Sequence, residues 1–397
     1  MKPKRRRLSA LSGLTWEDGN DGARYGEVYM SSPPPDQWPA PPPPPTGPPQ
    51  GATQWGPRTT GPTRGGAAAK WVLGGLALLV VVVITVVATI LVTQSPQTSG
   101  PPVTSTPPRT TASQVAVASA DDRDPAGIIL DDATCQQWSP ISAAFAHVAS
   151  NGWNDRDPTI PASDWPPALR SQYEAVATVL NESADRSSEL ARKTPHRVMR
   201  ELYEQFIAYS REYAERIRSY TPEANGFALV TVGLAATLTA VCDAVRSGAA
   251  GARSPLVPDA PPPSGSMAKA DPDNPQRFLK DLNPVCSQWL NTAKQFGDDT
   301  AAWRSVDPNI PGNELDANQR AINASVMSVM EANAMETQLL GKQSSNPIWA
   351  DIATLSAQYR RAYVSALTTY QPADNDLQIA ASSAIGTVSE ACRTVGA

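Results

Sequence analysis

Apolar residues in the C-terminal two-thirds of the chain recur at helical spacing. Met199, Leu202, Phe206, Tyr209, Tyr213, Ile217 and Tyr220 follow one another at steps of three or four, which lines them along one face of a helix. Trp349, Ile352, Tyr359, Tyr363, Leu367 and Tyr370 draw a matching stripe further on. Upstream of the first stripe, Tyr173, Val176, Val179 and Leu180 mark another helix, and Val326, Val329 and Met330 mark its counterpart. Pro222 and Pro372 end the tyrosine-bearing helices and start the next ones, because proline suits a first helical turn. The period-two alternation of strands is absent. The pattern predicts an all-α fold.

The two stripes belong to a duplication. Cys135-Gln136-Gln137-Trp138 recurs as Cys286-Ser287-Gln288-Trp289, and Asp157-Pro158-Thr159-Ile160-Pro161 recurs as Asp307-Pro308-Asn309-Ile310-Pro311. Tyr209, Tyr213, Tyr220, Pro222 and Cys242 return as Tyr359, Tyr363, Tyr370, Pro372 and Cys392. Each copy is expected to be a four-helix bundle: a short helix after the first Cys, a Pro-rich turn, two long helices, and one ending at the last Cys. The copies are expected at 126–247 and 276–397. A Pro/Gly/Ser linker at 248–275 lets each fold as its own unit. Cysteines at the first and last helices favour Cys135–Cys242 and Cys286–Cys392 over the other two connectivities.

A second kind of pattern lies upstream. Trp71–Thr93 carries no charge and is dominated by Val, Leu, Ile and Ala. As a helix it would extend roughly 35 Å, enough for a hydrocarbon core of about 30 Å. Its β-branched run Val80–Val87 favours a strand in water, but a lone span in lipid must be helical to satisfy its own backbone. Trp71 and Lys70 anchor its start. Arg58, Arg64 and Lys70 precede it while only Arg109 follows closely, which places the N-terminus in the cytoplasm and the copies outside. Disulfides suit that oxidising side. Ala224–Cys242 is also uncharged, but its counterpart carries Asp376 and Glu390, so both are expected to be core helices.

Charge sharpens this division. Residues 1–70 hold nine Lys/Arg and five Asp/Glu, whereas the whole chain is at −5, so the body is acidic. That excludes nucleic acid as the main ligand, since phosphate contacts need clustered cations. The stretch 1–70 is expected to be a disordered cytoplasmic tail, with Lys2, Lys4 and Arg5–Arg7 at its start and 13 prolines between Ser31 and Arg64. Its polyproline runs suit a cytoplasmic partner's aromatic groove. Residues 94–125, rich in Ser, Thr and Pro, read as a stalk.

Candidate chemistry is sparse. His147 and His196 have no counterparts in the second copy, and no Gly-rich phosphate loop or His-Glu-x-x-His is present. No cofactor or metal is expected. The repeated Asp-Pro-x-Ile-Pro, with Trp153 and Trp303 just upstream, is either a rigid elbow or the lip of a ligand site. In that motif Asp157, Pro158, Ile160 and Pro161 match Asp307, Pro308, Ile310 and Pro311.

A basic N-terminus, the run Pro41–Pro45, the valine-rich Val80–Val83, the stretch Pro101–Pro108 and a Cys-bounded helical body together resemble mycobacterial proline-rich single-pass membrane proteins. The resemblance implies an actinobacterial cell-envelope setting and supplies no site residues. The chain thus reads as a membrane-anchored binding or scaffolding protein with an envelope protein or glycan partner. A carboxylate-based envelope hydrolase and a single-pass sensor are the alternatives.

Overall fold

The computed structural model describes residues 117–263 and 267–397. The expected cytoplasmic tail and the expected span at 71–93 lie outside them. Among the described residues there are nine α-helices and no strand. Four long helices come from the first copy: α1 Thr134–Ala149, α2 Pro167–Lys193, α3 Arg197–Arg216 and α4 Asn225–Arg246. The short α5, Ala249–Arg253, follows. The second copy supplies α6 Cys286–Asp299, α7 Ala317–Gln343, α8 Pro347–Ala366 and α9 Asn375–Thr394.

Local sequence sets the helix starts. Pro167 and Pro347 each sit in a first turn, where the missing amide is no loss. Asp316 and Gln319 form a capping box at α7, and Asn346 accepts the Trp349 amide at α8. Pro222 and Pro372 each open a 3-10 turn that runs into α4 or α9.

Within each copy consecutive long helices pack on one another, and a disulfide joins first to last. Cys135 is bonded to Cys242 and Cys286 to Cys392, with Cα–Cα distances of 5.2 and 5.4 Å. Trp138 and Trp289, three residues beyond the opening cysteines, are both buried. Their indole N–H groups reach Thr239 Oγ1 at 3.0 Å and Ser389 Oγ at 3.1 Å. Side chains of the last helix, α4 or α9, therefore satisfy the tryptophan of the first.

The copies also pack against each other, and α4 against α9 is the most extensive helix pairing among the described residues. The two helices run antiparallel. Gly226 lies beside Thr394, Gly233 lies beside Thr387, and Ser247 Oγ donates to Asp376 Oδ2 at 2.9 Å. A single hydrophobic cluster includes Trp138, Phe206 and Leu234 of the first copy and Trp289, Trp349 and Leu377 of the second. The described residues accordingly fall in one compact unit.

Chain segments expected as spacer take part in this packing. Residues 117–125, read from sequence as the end of the stalk, run against the first copy, where the Ala118 amide donates to Arg192 O at 2.8 Å. At the start of the expected linker, α5 carries Arg253, which grips Asp374 through Nε at 2.9 Å and Nη2 at 2.7 Å. The boundaries expected at 126 and 248 thus run through packed chain.

One described helix, Pro222–Arg246, is long and apolar enough to cross a membrane by length and composition. Here 61% of its most apolar window is buried in protein. Gly233 meets α9, Trp138 of α1 bonds to it, and Cys242 staples it.

Candidate functional site

The repeated Asp-Pro-x-Ile-Pro segments build the same turn twice. Asp157 Oδ1 accepts the Thr159 amide at 2.9 Å, and Asp307 Oδ1 accepts the Asn309 amide at 2.8 Å. From the end of the tyrosine-bearing helix, Tyr220 Oη donates to Pro158 O at 2.8 Å and Tyr370 Oη donates to Pro308 O at 2.7 Å. The chain then crosses back, with the Ala162 amide on Tyr220 O and the Gly312 amide on Tyr370 O. Pro161 leads directly into the 3-10 turn Ala162–Asp164, and Pro311 begins the equivalent stretch. Ile160 is partly buried against the core, and Ile310 is half-buried at the corresponding point.

The paired tryptophans differ. Trp153 is 3% exposed, packs edge-on against Phe145 and Tyr213, and carries the Arg156 guanidinium 3.4 Å over its ring. Trp303 is half-buried against Tyr363. The indole of Trp153 is therefore covered on the face that a stacking ligand would need.

Sequence periodicity missed a second constellation, at the junction of the copies. The tyrosine stripe of α3 is buried as expected, but so is its polar face. Every residue from Arg197 to Ser210 is buried. Arg197 donates to Asp351 of α8 through Nε at 2.8 Å and Nη2 at 3.2 Å. It also holds the first arm, residues 117–133, through Asp122 O at 3.2 Å and Asp124 O at 2.9 Å. Arg200 reaches Ser119 O at 3.0 Å. Gln205 pins the second arm, residues 267–285, accepting from the Phe278 amide at 2.7 Å and donating to Gln276 O at 3.0 Å.

The arms cross over reciprocally. The Ile129 amide of the first arm donates to Tyr359 Oη of the second copy, and Tyr209 Oη of the first copy donates to Leu279 O of the second arm, both at 3.3 Å. Residues 209 and 359 are equivalent in the duplication, and 129 and 279 stand six and seven residues before the opening cysteines. Such paired contacts are what a two-fold relation produces. Burial pushes Tyr209 and Tyr359 above the ordinary tyrosine range, so both stay neutral hydroxyls.

An open cleft of about 400 Å³ adjoins this junction, lined by Asp121, Asp122, Asp124, Ile128, His196 and Arg197 among others. His196 Nε2 lies 2.8 Å from Asp131 O. Among the described residues no group of three or more His, Cys, Asp or Glu is arranged to hold a metal ion.

The outer faces of the copies are not equivalent. Met335, Leu339 and Leu282 of the second copy are 55, 48 and 56% exposed. The equivalent residues of the first copy are Asp185, Glu189 and Asp131. Asp185 and Glu189 pair with Arg211 and Arg192, both at 2.9 Å, and Asp131 is exposed.

A relative from Mycolicibacterium smegmatis (strain MKD8), described as an uncharacterized protein, is 42% identical over 339 residues, covering 85% of this chain and 89% of that protein. No solved structure matches the chain. The mycobacterial setting implied by its layout is shared by this relative and by the family match. That match runs over residues 117–396, from the first arm to the end of the second copy, and the chain belongs to the family described as Mycobacterial ESX-1 associated protein.

Proposed function

We propose that this chain is a binding or scaffolding component working with an ESX-1 secretion apparatus. In this reading residues 71–93 hold it in the cell membrane, with the N-terminus cytoplasmic and two disulfide-stapled four-helix bundles outside. The family description supplies the setting. The observation that carries the binding role is the apolar replacement on the second copy.

Met335 and Leu339 follow Glu331 at four-residue steps along one face of α7. Leu282 precedes Asn283, whose side chain donates to Ser344 O just beyond the end of that helix. Apolar side chains grouped in water mark recognition surfaces more often than isolated ones do. With Glu331 beside them and Glu336 next in sequence, they suit an amphipathic helix whose apolar stripe is bordered by Lys or Arg. We assign that helix to a protein of the secretion apparatus. The elbows at Asp157 and Asp307 act in this account as struts, because their carboxylates and prolyl carbonyls already hold the local chain.

Exchanging Met335 and Leu339 together for Asp in the full chain tests the reading. ESX-1-dependent secretion and co-isolation of an identified component of that apparatus should both fall, with thermal stability unchanged. A Glu189→Lys control should leave both intact. Undiminished secretion and association in the double variant would sink the assignment.

A further inference from the structure

Four carboxyls meet two guanidiniums in the buried junction between the copies. Glu201 and Glu204 of α3, Asp351 of α8 and Asp122 of the first arm surround Arg197 and Arg200. Arg197 stands 2.8 Å from Asp351, 3.9 Å from Glu201 and 4.0 Å from Asp122. Arg200 stands 3.8 Å from Glu201 and 3.6 Å from Glu204. From the second arm, Asp271 faces Glu204 and gives it a backbone amide at 2.9 Å.

Hydrogen bonds distribute the charges. Asp351 takes two donors from Arg197, and Asp122 accepts the Arg197 amide at 2.6 Å. Glu201 is 0% exposed, and neither of its oxygens has a hydrogen-bond partner. An ionised carboxylate without donors is the costliest species to bury, whereas a neutral carboxylic acid is not. With four acids against two bases, Glu201 is the site where a proton removes the excess. Glu201 and Asp351 also occupy equivalent positions in the duplication, so the same site of each copy meets here.

We propose that Glu201 is a proton-sensing residue: protonated, it lets α3 and α8 close together with the arms on them, and its ionisation loosens that junction. Burial and the adjacent Asp351 carboxylate push Glu201 well above the usual carboxylate range, against Arg200 and Arg197. Glu204, one turn away, is pushed up to about 7 by burial, against Arg200, and works in the same direction on the second arm.

The sign follows from linkage. A glutamate in open chain titrates near about 4.3. Above that value the closed junction holds a proton that the open form releases, so closure weakens as pH rises until Glu201 itself ionises. Each proton so linked raises the opening constant about tenfold per pH unit within this window.

Hydrogen exchange of α3 and α8 in the detergent-solubilised full chain, corrected for intrinsic exchange rates from pH 5.5 to 8.5, tests this proposal. Opening should rise about tenfold per pH unit in a Glu204→Gln background, and the slope should vanish on adding Glu201→Gln. An unchanged slope in the Glu201→Gln chain would overturn the proposal. Should that chain fail to fold, infrared spectroscopy of the Glu204→Gln protein decides. A protonated-carboxyl carbonyl band present at pH 7 and lost at higher pH supports the proposal, and its absence at pH 7 refutes it.

Discussion

Two glycines on facing helices offer a matched test of how closely the copies are joined. A Cβ added at Gly233 of α4 would sit 2.7 Å from Thr387 Oγ1, 3.2 Å from Thr387 Cα and 3.4 Å from its amide nitrogen. Thr387 has little room to yield, because its short side chain is tied to Ser383 O at 2.9 Å and two of the three neighbouring atoms are backbone. On α9, a Cβ at Gly386 meets nothing within 4 Å. Replacing either glycine by Ala gains about 1 kcal/mol of helix propensity. Overpacking at Gly233 costs about 1–3 kcal/mol. Gly386→Ala should therefore stabilise by about 1 kcal/mol, while Gly233→Ala comes out between neutral and about 2 kcal/mol destabilised. Denaturant midpoints of the two variants and the wild type, at equal m-values, read this difference directly. Equal stabilisation by both substitutions would mean that α4 and α9 do not approach as described, and the shared core would fail with them.

Other substitutions probe the remaining links. Replacing Cys135 and Cys242 by Ser opens a loop of 107 residues and should cost about 4–5 kcal/mol by chain entropy, measured against the intact protein in denaturant. Tyr220→Phe and Tyr370→Phe each remove one elbow hydrogen bond, so each should lose about 1 kcal/mol in thermal melts, and the double variant should lose their sum. Arg253→Ala leaves Asp374, only 4% exposed, without its guanidinium. A loss of about 3 kcal/mol is expected in equilibrium unfolding. An unaltered melt would mean that α5 does not clamp the second copy.

Much of the architecture was legible because it rests on local periodicity. The stripe from Met199 to Tyr220 is buried throughout, and the cysteines at the ends of each copy are joined within that copy. The elbow turns could be read from Asp-Pro chemistry, although the tyrosine hydroxyls that support them arrive from 62 residues away. What stayed hidden depends on contacts between copies. Arg197 and Asp351 lie 154 positions apart and look like solvated helix charges in sequence. A polar face reads as exposed unless a second body covers it, and here the other copy and two arms do so. Arg360 makes the same point. It is fully buried 4.1 Å over the Phe296 ring, with its pKa lowered to about 9 by that burial, where the first copy has Ser210. The apolar triplet Leu282, Met335 and Leu339 could have been found by comparing the copies position by position, since its equivalents are all acidic.

Site-specific photocrosslinking in living cells tests the central claim most directly. A photoreactive residue at position 339 of the full chain would be compared with one at the equivalent position 189. The account predicts adducts with an identified ESX-1 component from 339 and none from 189. Equal adducts from both positions, or adducts from 189 alone, would contradict it.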